Sequence, residues 1–339
     1  MEIRNSTPFP AAQTIFMDKS AAEQLIIAVK ASYTISERGE IAPAEEQDPI
    51  SPVEQFHGDP VSTSISQEAE LGPPKQATDV FLVGSAFALE RGARHTEVRF
   101  RVGDNEKVAV VIGNRKWVRG VGGATFTEPE PFESIPLTWE NSFGGIDLTP
   151  SDQAHHANEP RNPVGRGFRA RHSQAPWEDV LLPNVEDPAN YIRSLGQQVD
   201  PVGFGPIGRN WEPRVKYAGT YDQQWIEERM PLLPDDFDDR FHNAAPAGLI
   251  LARRAIPGDW VDVVGCTTTG RVFFQLPEFR PDVNVMIGDA TRDVALECDT
   301  VTVDTNRMRL LLLFKGMLRV HREVPRLRRT TIGDAGVAV

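Results

Sequence analysis

A chain of 339 residues, 40% hydrophobic and 25% charged, has room for one large or two modest domains around a real apolar core. Its net charge of −12 disfavours nonspecific binding to nucleic acid or anionic membranes and leaves room for a basic partner. No stretch nears the roughly 20 apolar residues that span a bilayer. The opening Met1-Glu2-Ile3-Arg4-Asn5-Ser6 also lacks the cationic start and apolar run of a signal peptide, so a soluble cytoplasmic protein is expected.

Residues 1–125 form an N-terminal β region. "LIIAVKASYTI" (25–35) is rich in β-branched and apolar residues and reads as a strand. Residues 37–74 are acidic and close on Gly72-Pro73-Pro74, which predicts a loop-rich excursion with at most one short strand. "DVFLVGSAFAL" (79–89) is a second strand. "HTEVRFRVG" (95–103), the turn "DNEK" and "VAVVIG" (108–113) make a β-hairpin, with Val98, Phe100 and Val102 on one face.

Residues 126–246 have weak periodicity and are dense in Pro, Gly, Asn and Trp, including Trp139, Trp177, Trp211 and Trp225. Disordered linkers rarely hold so many aromatics, so an ordered, irregular region with aromatic anchors is expected. Only "YDQQWIEERM" (221–230) suggests a helix, with Asp222 as N-cap. From 247 to 320 strands return: "GLILARRAI", "DWVDVVGCT", "RVFFQLP", "VNVMIG", "VALECDTVTVDT" and "RMRLLLLFKGML", with "DTNRM" as a hairpin turn. Within Val294–Val303, Val294, Leu296 and Cys298 alternate against Ala295, Glu297 and Asp299. Residues 321–339 are expected to be a basic, partly flexible tail. Cys266 and Cys298 lie in apolar runs and read as buried free thiols. The fold class is mainly β, α+β at most: antiparallel sandwich or barrel-like sheets with a long irregular Pro/Gly/Trp-rich centre, in one integrated domain.

Several motifs invite a chemistry. Gly203-Phe204-Gly205-Pro206-Ile207-Gly208 fits G-x-G-x-x-G, yet that loop needs a strand before it and a helix at its end. Pro201 precedes it without an apolar run, and Pro213 would interrupt any helix begun at Gly208. There is no G-x-S-x-G, and His155-His156 is not a metal-binding helix pair. In "PDDFDDRFHN" (234–243) the EF-hand positions are wrong, so local caps and surface ion pairs are expected. No cofactor or metal is expected.

"PLTWENSFGG" (136–145), "NPVGRGF" (162–168), "LPNVED" (182–187), "VGFGPIGRNWEPRVKYAGTYDQQW" (202–225) and "PLLPDDFDDRFHNAAP" (231–246) occur in this order. Together with "DTVTVDTNRMRLLLLFKGML" (299–318), they closely resemble the bacterial domain-of-unknown-function family number 2169, over about residues 5–320. The resemblance implies a type VI secretion adaptor or chaperone, not an enzyme. Such a protein holds a toxic effector in the cytoplasm and helps load it onto the VgrG spike. No nucleic-acid or membrane partner is implied.

For such an adaptor, the candidate partner-binding residues are Trp139, Phe143, Phe168, Trp211, Tyr217, Tyr221 and Trp225, with Arg166, Arg209 and Arg214 as pairs for client carboxylates. The plainer assignment is that the aromatics fill the region's own core and the arginines tie its loops together. Two alternatives stand: a hydrolase-like enzyme using paired carboxylates such as Asp222 or Asp236, or an immunity protein for a neighbouring toxin.

Overall fold

The strand Glu23–Ile35 is buried on both faces, and that double burial organises the molecule. Leu25, Ile27, Val29, Ala31 and Tyr33 point into the main apolar core, while Ile26, Ala28, Lys30 and Ser32 face the other way and are equally covered. The computed structural model describes residues 1–335. In it Glu23–Ile35 is second in a sheet ordered Ala11–Met17, Glu23–Ile35, Arg309–Arg319, Glu297–Asp304 and Asp79–Val83, with Ile41–Pro43 also paired to it. The pairings are antiparallel except the last, between Glu297–Asp304 and Asp79–Val83.

A five-stranded sheet runs Val185–Glu186, Asn105–Ile112, His95–Val102, Trp260–Val264 and Arg271–Gln275, and a four-stranded one Glu2–Asn5, Leu327–Asp334, Pro281–Ile287 and Ala290–Asp293. Inward side chains of all three, such as Val301, Phe100 and Val285, meet in one core. The early and late strand sets therefore share sheets rather than forming separate units. Residues 45–75 cross the outer face of the six-stranded sheet as a strap. Lys30 Nζ reaches the Pro49 carbonyl (3.1 Å) and Glu70 (2.8 Å), and Gln47 bonds to both backbone groups of Ser32.

The fold is mainly β, with the single α-helix among the described residues at Gln223–Glu228. Asp222 caps it by accepting from the Trp225 amide, as the sequence predicts. The hairpin at 95–113 and the "DTNRM" turn also form as expected. Both cysteines are buried free thiols, and burial pushes Cys266 up to about 12.

Four expectations are corrected. "GLILARRAI" (248–256) is not a strand. It makes one isolated bridge, and the Leu249 carbonyl and Leu251 amide cover the open edge of Asp79–Val83. The excursion at 37–74 holds three short strands, Ile41–Pro43, Gln55–Phe56 and Ile65–Gln67, not one. The basic end is no loose tail: Leu327–Asp334 sits inside the four-stranded sheet, parallel to Glu2–Asn5, burying Thr330 and Ile332 just after Arg328 and Arg329. Residues 336–339 of that expected tail lie outside the described residues. Finally, the alternation in 294–303 breaks at Asp299. A bulge between Cys298 and Thr300 leaves Asp299 opposite Cys298 but puts Thr300 on the same face as Asp299, and that face is buried under the strap instead of exposed.

Candidate functional site

The glycine run that imitates a phosphate loop is a seat for tryptophans. Trp139 is buried at the start of the 3-10 turn Trp139–Asn141, and its indole Nε1 donates to the Pro206 carbonyl at 3.0 Å. A Cβ on Gly203 would lie 2.5 Å from that ring, and one on Gly208 would lie 2.9 Å from the Trp211 ring. Only hydrogen fits at either place. The two indoles meet edge to face at 5.9 Å, and Ile207 and Val164 complete this small core. The residues before the glycines form no strand, and those after them form the 3-10 turn Arg214–Tyr217.

The neighbouring motifs lock to each other in the same way. Phe143 and Gly144 pair in parallel with Arg166 and Gly167. Asn162 is fully buried and donates through Nδ2 to the carbonyls of Trp139 (2.8 Å) and Phe143 (2.9 Å). Phe143 fills a second small core with Trp117, Leu182, Ile192 and Val199, against which Phe168 and Trp177 pack. Trp139, Phe143 and Trp211 are therefore buried residues: the strand-poor region uses its largest rings to build its own core, and of the three only Trp211 also borders a groove.

The three arginines all tie loops. Arg166 donates to the Glu140 carbonyl (2.9 Å) and to Asn141 Oδ1 (2.6 Å). Arg214, also buried, bonds the carbonyls of Ile207 (2.6 Å) and Phe241 (3.1 Å) and pairs with Glu68 at 3.0 Å. Arg209 pairs with Glu54 at 2.5 Å but remains about half exposed, on the ridge between two grooves. The larger, about 710 Å³, lies between the 54–65 strap hairpin and the central motifs, with Pro60, Val61, Ile146, Pro163, Val164 and Trp211 on its walls. The other, about 480 Å³, has an apolar wall of Phe16, Leu71, Tyr221, Leu233, Phe237 and Phe241.

A buried ionic layer floors the second groove. Lys75 Nζ sits 2.7 Å from Asp79, 2.9 Å from Glu68 and 2.9 Å from Thr300 Oγ1. Lys315 Nζ lies 3.1 Å from Asp299, whose other oxygen accepts from the Lys75 amide. Asp79 also accepts from Asn243 Nδ2 and the Ala244 amide, so this layer fastens the 231–246 motif to the sheet. Burial works against the Glu68 carboxylate, but Lys75 and Arg214 outweigh it and hold its pKa below the ordinary value. His242, on the groove wall, is pushed down to about 4, by burial first and then by Lys315, with Arg214 and Arg209 adding and Asp239 opposing. Each lysine and arginine lining the groove is paired with a carboxylate, Lys75 with Glu68 and Asp79, Lys315 with Asp299, Arg214 with Glu68 and Arg209 with Glu54.

The second groove brings together Arg209, Arg214 and Tyr221 from the sequence candidates. Tyr221 is 52% exposed and meets Trp225 edge to face at 4.7 Å, while Tyr217 stacks under Arg240 at 4.4 Å just outside. Phe168 and Arg166 lie elsewhere in the centre, away from this groove. Asp222 and Asp236 line one shallow depression, and both carboxylates cap backbone, Asp236 accepting from the Thr220 amide and hydroxyl. The acids of "PDDFDDRFHN" make local caps and ion pairs such as Asp238–Arg240 and Asp235–Arg229.

Sequence reasoning missed Lys75, Glu68, Lys315 and Phe16. The signal was a lysine in the middle of an apolar strand, Lys30 in "LIIAVKASYTI" and Lys315 in "RLLLLFKGML", since each buried ammonium demands a carboxylate from elsewhere.

Among the described residues no helix is long and apolar enough to cross a membrane. A family model described as an uncharacterized protein conserved in bacteria (DUF2169) matches residues 20–315. No curated protein and no solved structure matches the chain.

Proposed function

We propose that this chain, which belongs to the DUF2169 family of bacterial proteins, is a type VI secretion adaptor that binds a toxic effector in the cytoplasm and helps load it onto the VgrG spike. It acts by binding alone. The observation that carries this reading is the pair of open grooves flanking Arg209, walled by apolar and proline side chains over a frame pinned by buried ion pairs. A rigid, shaped apolar surface with a sparse charged rim suits the recognition of another polypeptide. The assignment of that polypeptide to type VI secretion rests on the likeness of the central motifs to the family.

Co-expression with the effector encoded beside it is expected to give one peak in size exclusion containing both chains. Arg209→Glu, which reverses the ridge between the grooves, is expected to weaken that complex. An effector that stays soluble and reaches the spike without this protein would end the adaptor reading. Toxin activity that persists in the complex is expected of an adaptor, whereas its loss would mark an immunity protein.

A further inference from the structure

The strap and the six-stranded sheet do not close on each other everywhere. Between them, over Arg309–Arg319, Glu297–Asp304 and Asp79–Val83, lies a chamber of about 200 Å³. The ionic layer separates it from the second groove, since Glu68, Lys75 and Lys315 border both. Strand register sets its floor. The middle strand lays a polar stripe of Thr300, Thr302 and Asp304 between two apolar rails, Leu311 and Leu313 on one side and Phe81 and Val83 on the other. Residues 66–70 of the strap roof it, and the exposed Gln55 and Arg307 mark its mouth.

The charges around this chamber are already answered. Glu68 has Lys75 and Arg214, Glu70 has Lys30 (2.8 Å), Asp299 has Lys315, and Arg307 has Asp48 (2.7 Å). Asp304 is buried and forms no ion pair among the described residues. Arg309, opposite it in register, is turned to the Glu46 carbonyl (2.9 Å) and lies 4.0 Å from Asp48. Asp304 and Asp48 together balance Arg307 and Arg309, so an added ammonium finds no spare charge. What remains over is hydrogen-bonding capacity. The Ser66 hydroxyl, the Gln67 amide and Thr302 Oγ1 line the chamber and bond to no described residue. Thr300 is engaged, accepting from Lys75 and donating to Asp299. Burial raises the Asp304 pKa in spite of the Arg307 and Asn306 amides and the Arg307 charge, so a further donor is favourable there.

We propose that the chamber binds one small neutral polyol, of the size and character of a single sugar ring. Its hydroxyls meet Asp304, Thr302 and the Ser66–Gln67 roof, and its C–H edges lie on Leu311, Leu313 and Val83. This goes beyond the adaptor reading and does not depend on it. Apolar walls with a few convergent polar groups are the usual make-up of a small-molecule site. An ion is disfavoured, because the lining offers it no unmatched charge and apolar rails on both sides. A hydrocarbon is disfavoured too, because it would leave the hydroxyl and amide groups without partners. Thr302 and Asp304 stand two residues apart on one strand, about 7 Å along the chamber, a span that hydroxyls on opposite sides of one ring can bridge. The volume of about 200 Å³ holds one such ring and no chain of them.

The test is saturation-transfer NMR on the full chain. Three neutral rings, methyl glucoside, methyl galactoside and myo-inositol, are set against two charged ones, glucosamine in its ammonium form and glucuronate. At least one neutral ring is expected to bind with a Kd in the millimolar range or tighter, and the charged rings at least about tenfold more weakly. Thr302→Val keeps the shape of the floor and removes its hydroxyl. It is expected to weaken binding at least about fivefold while circular dichroism stays as in the parent. Gln67→Ala, on the roof, is expected to act in the same direction. No response to any neutral ring overturns the proposal. Charged rings that bind as tightly as neutral ones overturn the ligand class. Binding that neither Thr302→Val nor Gln67→Ala weakens places the ligand elsewhere and overturns the site.

Discussion

One aromatic pair on a regular sheet and one in the irregular centre are placed in opposite ways. In the five-stranded sheet, Trp260 and Phe273 stack in the open at 4.4 Å and are 47% and 42% exposed. In the centre, where loops are expected to display side chains, Trp139 and Trp211 are each no more than 5% exposed. Strand phase explains the first pair. Val261 and Val263 take the core face, so Trp260 shares the outward face with Asp262, opposite Phe273 on the next strand. Glycine explains the second, because Gly203 and Gly208 leave room for a ring where any Cβ would collide. Regular backbone does not by itself bury an aromatic, and irregular backbone does not by itself expose one.

The largest effects are expected where each region is least able to relax. Trp139→Ala empties the small core shared with Trp211 and Ile207 and is expected to cost about 3–5 kcal/mol by chemical denaturation. Lys75→Met strips the cation between Glu68 and Asp79 and is expected to cost a similar ~3–5 kcal/mol, because it leaves the buried Asp79 without its cation while Glu68 keeps only Arg214. A loss well below that for Trp139→Ala would mean that the centre collapses around the hole like a loop, breaking the likeness to a true core.

The next effect depends on pH. His242 has a folded pKa of about 4 against an ordinary 6.5, so it stays neutral in the folded chain where the unfolded chain binds a proton. Its contribution is full above pH 6.5, falls as the pH drops from 6.5 to 4 and is spent below that, amounting to at most about 3 kcal/mol. His242→Phe is expected to flatten the stability curve in that window. Curves of equal slope for parent and variant would show that burial and the neighbouring Lys315 do not hold this imidazole neutral.

Smaller still is a contrast between two glycines of one motif. Gly203→Ala drives a methyl into the Trp139 ring and is expected to cost about 1–3 kcal/mol. Gly205→Ala meets only the indole nitrogen, at an ordinary 3.9 Å, and is expected to stay within about 0.5 kcal/mol. Equal losses from the two would remove the tryptophan seat as the reason for the motif.

What could be read from the sequence follows the range of the forces involved. The 95–113 hairpin and the Asp222 cap rest on neighbours a few residues away, and Glu23–Ile35 shows itself by its own run of apolar and β-branched residues, so all three were legible. Leu327–Asp334 was hidden because its arginines mask a strand whose partners are Glu2–Asn5 and Pro281–Ile287. Asp299 lies opposite Cys298 as its alternation predicts, yet its burial was hidden because the Lys75 segment that covers it comes from 224 residues away. The central motifs were recognisable as a signature, yet their cause was not, because Trp139 and Gly203 meet only in three dimensions. The candidate site suffered most: the sequence named the rings but not the paired ionic layer that floors the groove.

The exposed stack offers the mildest and sharpest probe of this contrast. Trp260 and Phe273 lie parallel within 6° on a solvent face, with Arg271 over the Phe273 ring at 5.4 Å and bound to Asp262 at 2.7 Å. Removing one ring leaves water, not a cavity, so Trp260→Ser is expected to cost only about 0.5–1.5 kcal/mol, the value of an aromatic pair beyond its area. A double-mutant cycle with Phe273→Ser isolates that coupling, since the two side chains touch. If Trp260→Ser instead costs as much as Trp139→Ala, the ring is covered in solution by something that the isolated chain does not supply. The outer face of the five-stranded sheet would then rank with the grooves as a surface built to be occupied.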